Sequence, residues 1–173
     1  CSHQPITFSD SDWAGCVDTR QSTSGRITMM QGAAVLWTSA RQKSIALSSA
    51  EAEMVALNNA ARDARFVRRL HASIGMPLMA PTPIMVDNSA AIQWCDYKAK
   101  WSASRHISTQ HFAVQDWKRR GHIVPLKVDT TRELADICTK NLPHATHAML
   151  RMIVLGHREA TSAIYDNYAA AAA

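Results

Sequence analysis

The chain has 173 residues, 47% of them hydrophobic, enough for one domain with a real core, and no apolar run approaches the roughly 20 residues of a membrane span. Its net charge of +5 favours a polyanionic partner, of which nucleic acid is the commonest. Cys1, Cys16, Cys95 and Cys138 form no CxxC pair and no regular spacing, which excludes a zinc knuckle or a disulfide framework and leaves reduced thiols.

Ile6, Phe8 and Asp10 alternate with Thr7 and Ser9, the period expected of a half-buried strand, so Asp10 continues an apolar face. Gly25 to Met30 and Ala34 to Ser39 read as two more strands joined at Gln31-Gly32, an antiparallel meander. A long helix is predicted from Ser48 to Ile74, with Gly75 as its C-cap and Pro77 beyond. After the proline-rich linker Pro77 to Pro83, the short strand Ile84-Met85-Val86 stops at Asp87-Asn88 before an Ala/Ile-rich helix. Another helix is expected from Thr109 to Arg120, stopped by Gly121, then a strand from Ile123 to Val128. Thr130-Thr131-Arg132-Glu133 has the form of a capping box leading a helix through Leu134 to Lys140. From Leu142 the pattern weakens. Residues 1–143 are therefore expected to form the domain, and 144–173 a partly helical extension ending in a frayed alanine-rich tail.

Glu53 is the anomaly in this pattern. On a helix advancing about 100° per residue, Ala50, Leu57, Ala60, Ala61 and Ala64 fall within roughly 80° of it, so a carboxylate sits in the apolar stripe. Glu51 projects about 160° away, and Ser48-Ser49-Ala50-Glu51 explains it as a capping box. A buried Glu53 needs a cation, a donor or a metal, and a private salt bridge is the plain alternative. Asp87 stands at a strand end, where ligands gather in open sheets; the plain alternative is that Asp87 or Asn88 merely caps the following helix. Asp136 lies about 100° from Ile137 and 200° from Leu134, so periodicity leaves it at the surface. Packed carboxylates repel unless protonated or neutralised, and hard oxygen ligands suit Mg²⁺ or Mn²⁺.

Five motifs carry a resemblance. Ser9-Asp10-Ser11-Asp12-Trp13-Ala14-Gly15, Thr23-Ser24-Gly25, Leu47-Ser48-Ser49-Ala50-Glu51-Ala52-Glu53, Val86-Asp87-Asn88 and Leu134-Ala135-Asp136-Ile137-Cys138-Thr139-Lys140 resemble, in order and spacing, the ribonuclease H domain that ends copia-type retrotransposon Pol polyproteins. The resemblance runs from about Phe8 to Pro143. It implies an α/β fold with a five-stranded mixed sheet, its first three strands antiparallel, flanked by helices. It implies metal-dependent cleavage of the RNA strand of RNA–DNA hybrids, with two Mg²⁺ ions for which Mn²⁺ can substitute. By the same resemblance Asp10, Glu53, Asp87 and Asp136 are the metal-binding catalytic acids; Asp12 shares the strand phase of Asp10, but a turn-shaping role is expected of it rather than a ligand's. The partners implied are the hybrid and an upstream reverse transcriptase domain of the same polyprotein.

Departures from the family pattern are few. Met54 replaces an aromatic, Val86 a cysteine, and Ser108 an acid in Arg105-His106-Ile107-Ser108. Lys127 to Glu133 holds no histidine where cellular and retroviral relatives carry one, which leaves water, His106 or His111 for proton transfer. Lys98, Lys100, Arg105, Lys118, Arg119 and Arg120 are interleaved with Trp94, Tyr97, Trp101 and Trp117, as in a surface that tracks a nucleic-acid backbone. The alternative is that the tryptophans are core and the cations solvated. His144 and His147 lack a third zinc ligand. The start Cys1-Ser2-His3-Gln4 has no signal-peptide character, so an intracellular piece of a longer polypeptide is expected, in a cytoplasmic particle or the nucleus. The rival to an active enzyme is a relic that keeps the fold and only binds nucleic acid or a partner.

Overall fold

The computed structural model describes residues 4–96 and 112–157, and the backbone of 105–111. Strands β1 (Ile6–Asp12), β2 (Thr23–Met30) and β3 (Ala33–Arg41) precede helix α1 (Ser49–Ser73). Strand β4 (Thr82–Val86), helices α2 (Ser89–Trp94) and α3 (Arg105–Arg119) and strand β5 (Ile123–Lys127) follow. Two 3₁₀ turns, Thr130–Arg132 and Leu134–Cys138, lead to helix α4 (His144–Val154). The sheet order is β3-β2-β1-β4-β5. β1, β2 and β3 pair antiparallel, and β4 joins β1 and β5 in parallel. This is the five-stranded mixed sheet that the motifs imply.

Local chemistry explains the turns. Gln31 and Gly32 take φ of 52° and 89°, the doubly left-handed pair that suits the twist of a two-residue hairpin, and glycine meets that demand without strain. At the start of α1, Ser48 Oγ accepts from Glu51 N at 3.2 Å. Glu51 reaches back to Leu47 N at 2.9 Å, closing the predicted capping box one residue earlier than its usual form. Gly75, at φ 78°, follows the C-cap Ile74.

β1 is not half-buried. It is the central strand with helices over both faces, so Thr7 and Ser9 are as enclosed as Ile6 and Phe8. On one face Ile6, Phe8, Ile27, Met29 and Met85 pack against Leu134, Ala135 and the α4 residues Leu150 and Ile153. On the other, Leu57, Ala60, Ala61 and Ala64 of α1 meet Ile84 and Val86 of β4. Small alanines let α1 approach closely where β1 offers only short polar side chains. Thr7 Oγ1 shares a 3.0 Å hydrogen bond with Thr28 Oγ1, so neither hydroxyl is buried unsatisfied.

Two further expectations are corrected. The helix predicted through Leu134 to Lys140 is a 3₁₀ turn ending at Cys138. Its approach is capped by Asp129, which accepts from Thr131 N at 2.9 Å, and Glu133 caps the second turn by accepting from Ala135 N at 3.0 Å. With about three residues per turn, the α-helical projection of Asp136 fails, and Leu134, Ala135 and Asp136 are all buried. Helix α3 begins at Arg105 instead of Thr109, because nothing in Arg105-His106-Ile107-Ser108 breaks a helix. No helix among the described residues is long and apolar enough to cross a membrane.

Gly25 seats the second 3₁₀ turn on β2. A Cβ there would stand 2.6 Å from Thr139 Cγ2 and 2.8 Å from both Ala135 O and Cys138 Cβ. Gly25→Ala is therefore expected to lift the turn off the sheet and cost about 1–3 kcal/mol. Urea denaturation reads the loss, and an unchanged midpoint would refute the close seating.

Candidate active site

The carboxyl ends of β1 and β4 and the first turns of α1 converge on one point. Asp10 of β1, Glu53 of α1 and Asp87 just beyond β4 each place an oxygen within 4.8 Å of the others. Asp10 is 1% exposed and Glu53 4%, whereas Asp87 is half-buried at the mouth. The salt-bridge alternative for Glu53 finds no partner: its Oε1 accepts from Ser11 N at 3.3 Å, its Oε2 has no hydrogen-bond partner, and no cation pairs with it among the described residues. Burial first, then the neighbouring charges of Asp10 and Asp87, push the Glu53 carboxyl up to about 8. At α2 the capping is done by Asn88, whose Oδ1 accepts from Ala90 N at 2.9 Å and Ala91 N at 3.4 Å. The Asp87 carboxylate is thereby left to the crevice, 3.4 Å from Thr130 Oγ1.

Asp136 is 7% exposed and stands beside this trio without belonging to its tight group. Lys140 links the two: its Nζ lies 2.7 Å from Asp136 Oδ1 and 3.2 Å from Asp10 Oδ1. Burial opposes the ammonium charge, yet Asp136 and Asp10 outweigh it and hold the Lys140 pKa above its usual value. Burial also pushes the Asp136 carboxyl up to about 6, against the hydrogen bond from Lys140. Thr139 Oγ1 donates to Asp10 Oδ2 and so fixes the other carboxylate oxygen. Four acids thus meet around one crevice, three in mutual contact range and the fourth joined through an ammonium.

Comparison with known proteins bears on this arrangement. No protein-family profile matches the chain. The retrovirus-related Pol polyprotein from transposon RE2 of Arabidopsis thaliana is 31% identical over 135 residues, 78% of this chain but 9% of that polyprotein. The sequence relatives of this chain are retrovirus-related Pol polyproteins of transposons. It spans about a tenth of the length of those polyproteins. The fold is that of ribonuclease H: the structure of LC11-RNase H1 in complex with an RNA/DNA hybrid superimposes with a TM-score of 0.57 at 14% identity, over 79% of this chain and 94% of that one. The protease-reverse transcriptase of prototype foamy virus matches 92% of this chain and 20% of its own length, with a TM-score of 0.51 and 9% identity.

Within this ribonuclease H fold, the sequence patterns missed three residues. Glu133 is fully enclosed, and its Oε2 has no hydrogen-bond partner among the described residues. Burial, and after it the charges of Asp10, Asp87 and Asp136, raise its pKa well above the usual value. As a capping-box residue it gave no sign of being buried near these acids. Lys140 and Thr139 follow Asp136 by four and three residues, a spacing that brings them to the crevice only once the turn is known to lie against β1 and β2. Asp12 lies under the turn at Gly15, where an added Cβ would meet its carboxylate, and it stays outside the acid group.

The expected nucleic-acid residues divide. Lys98 and Lys100 lie outside the described residues, as do the side chains of Arg105, His106 and His111. Lys118 pairs with Asp96 at 2.6 Å, and Arg119 and Arg120 both pair with Asp116, at 2.7 and 2.6 Å. Trp94 and Trp117 are partly buried against the α1 side of the core. His144 and His147 are exposed on α4 and join no metal-binding group among the described residues.

Proposed function

We propose that this chain is the ribonuclease H part of a retrotransposon polyprotein and hydrolyses the RNA strand of RNA–DNA hybrids with divalent cations. The observation that carries this reading is the trio Asp10, Glu53 and Asp87 at the sheet edge of a ribonuclease H fold. The residues fit a hard cation: three carboxylate oxygens lie within 4.8 Å of one another, and the buried Glu53 Oε2 has no hydrogen-bond partner among the described residues. Asp10, Glu53 and Asp87 would hold one Mg²⁺, and Asp10 with Asp136 a second. Bound there, the ions would activate a water and stabilise the leaving oxygen of an in-line displacement.

The protein's own groups prepare that chemistry. Thr139 and Lys140 fix both oxygens of Asp10, so the central carboxylate is oriented before substrate arrives. Glu53 holds a proton at neutral pH and must lose it to serve as an anionic ligand. Asp87, half-exposed at the mouth, is the acid most accessible to a scissile phosphate. Discrimination of RNA from DNA needs contacts to the 2′-hydroxyl, which the hybrid's RNA strand offers along its groove. The upstream reverse transcriptase is the partner that would present the hybrid.

A labelled hybrid incubated with Mg²⁺ or Mn²⁺ tests the reading. Cleavage confined to the RNA strand and abolished by EDTA is expected. Hybrid binding without metal-dependent turnover would favour the inactive relic instead.

A further inference from the structure

The outer face of α1 carries Arg62, Arg65 and Arg69, with i, i+3 and i, i+4 spacing, far from the acids. Taking 1.5 Å per residue, Arg65 lies about 18 Å and Arg69 about 24 Å along the helix from Glu53. Like charges at this spacing repel. Among the described residues none of the three makes an ion pair. The acid beside them, Asp63, is already held by Arg26 of β2. They line an open cleft of about 440 Å³ together with Phe66 and Trp117. The Arg65 guanidinium stacks over the Trp117 ring at 4.5 Å, which fixes its plane, and Phe66 is 49% exposed beside it.

We infer that this cleft is a second nucleic-acid site, separate from the acid crevice, which takes the phosphodiester backbone of a single strand. Planar guanidinium forks match phosphate oxygens, and an exposed aromatic ring gives a base a surface to stack on. Unpaired cations around a concavity, with their one acid neutralised internally, call for an anion from outside. The neighbouring His122 shows the same field: burial first, then Arg65, Arg68 and Arg120, push its imidazole down. Position selects a single strand over a duplex. The acids are at one end of α1 and the cleft lies along its other half, so a strand touching both must turn sharply around the helix. A duplex stiff over about 150 base pairs resists such a turn, and a single strand does not. That continuity with the crevice, and with it the choice of a single strand over a duplex, rests on the hybrid-cleaving reading; the cleft's affinity for a phosphodiester backbone does not.

The test is fluorescence anisotropy of a labelled 20-nucleotide oligo-uridine in EDTA, over a range of salt. Arg62→Gln/Arg65→Gln/Arg69→Gln should weaken binding about tenfold or more and reduce the slope of log affinity against log salt by about 2, the value for three phosphate contacts on a single strand. Phe66→Ala should weaken it without changing that slope. A control removing equal charge elsewhere, Arg20→Gln/Lys43→Gln/Arg151→Gln, should leave the affinity within about twofold. Cleavage of a blunt hybrid of ten base pairs should be unchanged in the triple variant, which keeps the cleft distinct from catalysis. Equal affinity and slope for wild type and the cleft variant would overturn the inference. So would equal losses in cleft and control variants, or binding of polyglutamate but not of oligo-uridine.

Discussion

Asp87→Asn is expected to reduce hybrid cleavage at least about a hundredfold while leaving the melting temperature close to wild type. The side chain is half-exposed, its one side-chain hydrogen bond among the described residues is the 3.4 Å contact from Thr130 Oγ1, and the helix beyond is capped by Asn88. Amide for carboxylate therefore disturbs little of the fold. It does remove one of three converging anionic oxygens, and with it the charge that a hard cation needs. Rate and stability should separate here. Single-turnover cleavage with thermal unfolding of the same preparation measures both, and full activity in Asp87→Asn would dissolve the proposed site. Asp10→Asn would be less diagnostic, because Thr139 and Lys140 also rest on that side chain.

The second large effect is on stability. Glu53 holds its proton up to about pH 8 in the folded chain, against 4.5 for an ordinary glutamate. Folding therefore takes up a proton, and stability falls as pH rises from about 4.5 towards 8. Asp136, raised from 3.8 to about 6, adds to the fall in the lower part of that window. At about 1.4 kcal/mol per pKa unit the burden reaches several kcal/mol by pH 8 in the absence of divalent cation. Glu53→Gln removes the ionisation while keeping the shape. It should therefore melt higher than wild type at pH 8 without metal, match it near pH 4.5, and lose cleavage at both. Mg²⁺ should restore wild-type stability at pH 8 and do little for Glu53→Gln. Parallel pH profiles for the two proteins, measured by calorimetry in EDTA, would show that Glu53 does not titrate as its burial dictates.

How far the sequence foretold this depends on the range of each signal. The hairpin at Gln31-Gly32, the capped α1 and the stop at Asp87-Asn88 are local, and chain-neighbour chemistry foretells them. Glu53 was legible because an α-helix has a fixed period and a charge inside its apolar stripe breaks it. β1 was misjudged because alternation shows one apolar face and is silent about a helix of alanines covering the short polar residues on the other. Asp136 was misplaced by applying an α-helical angle to a 3₁₀ turn. Glu133 was hidden because a capping box and a buried acid share the same residue types.

The hydrogen bond between Thr139 and Asp10 joins positions 129 apart in the chain. The β2–β3 hairpin can form within microseconds of its own accord, but parallel pairing of β1 with β4, and docking of the Leu134–Cys138 turn on Gly25, require closure of very long loops. The crevice thus depends on contacts between segments far apart in the chain. A partly folded chain holds its acids dispersed and solvated, and only the assembled fold brings Asp10, Glu53 and Asp87 within reach of one another, so formation of the acid cluster is bound to completion of the fold.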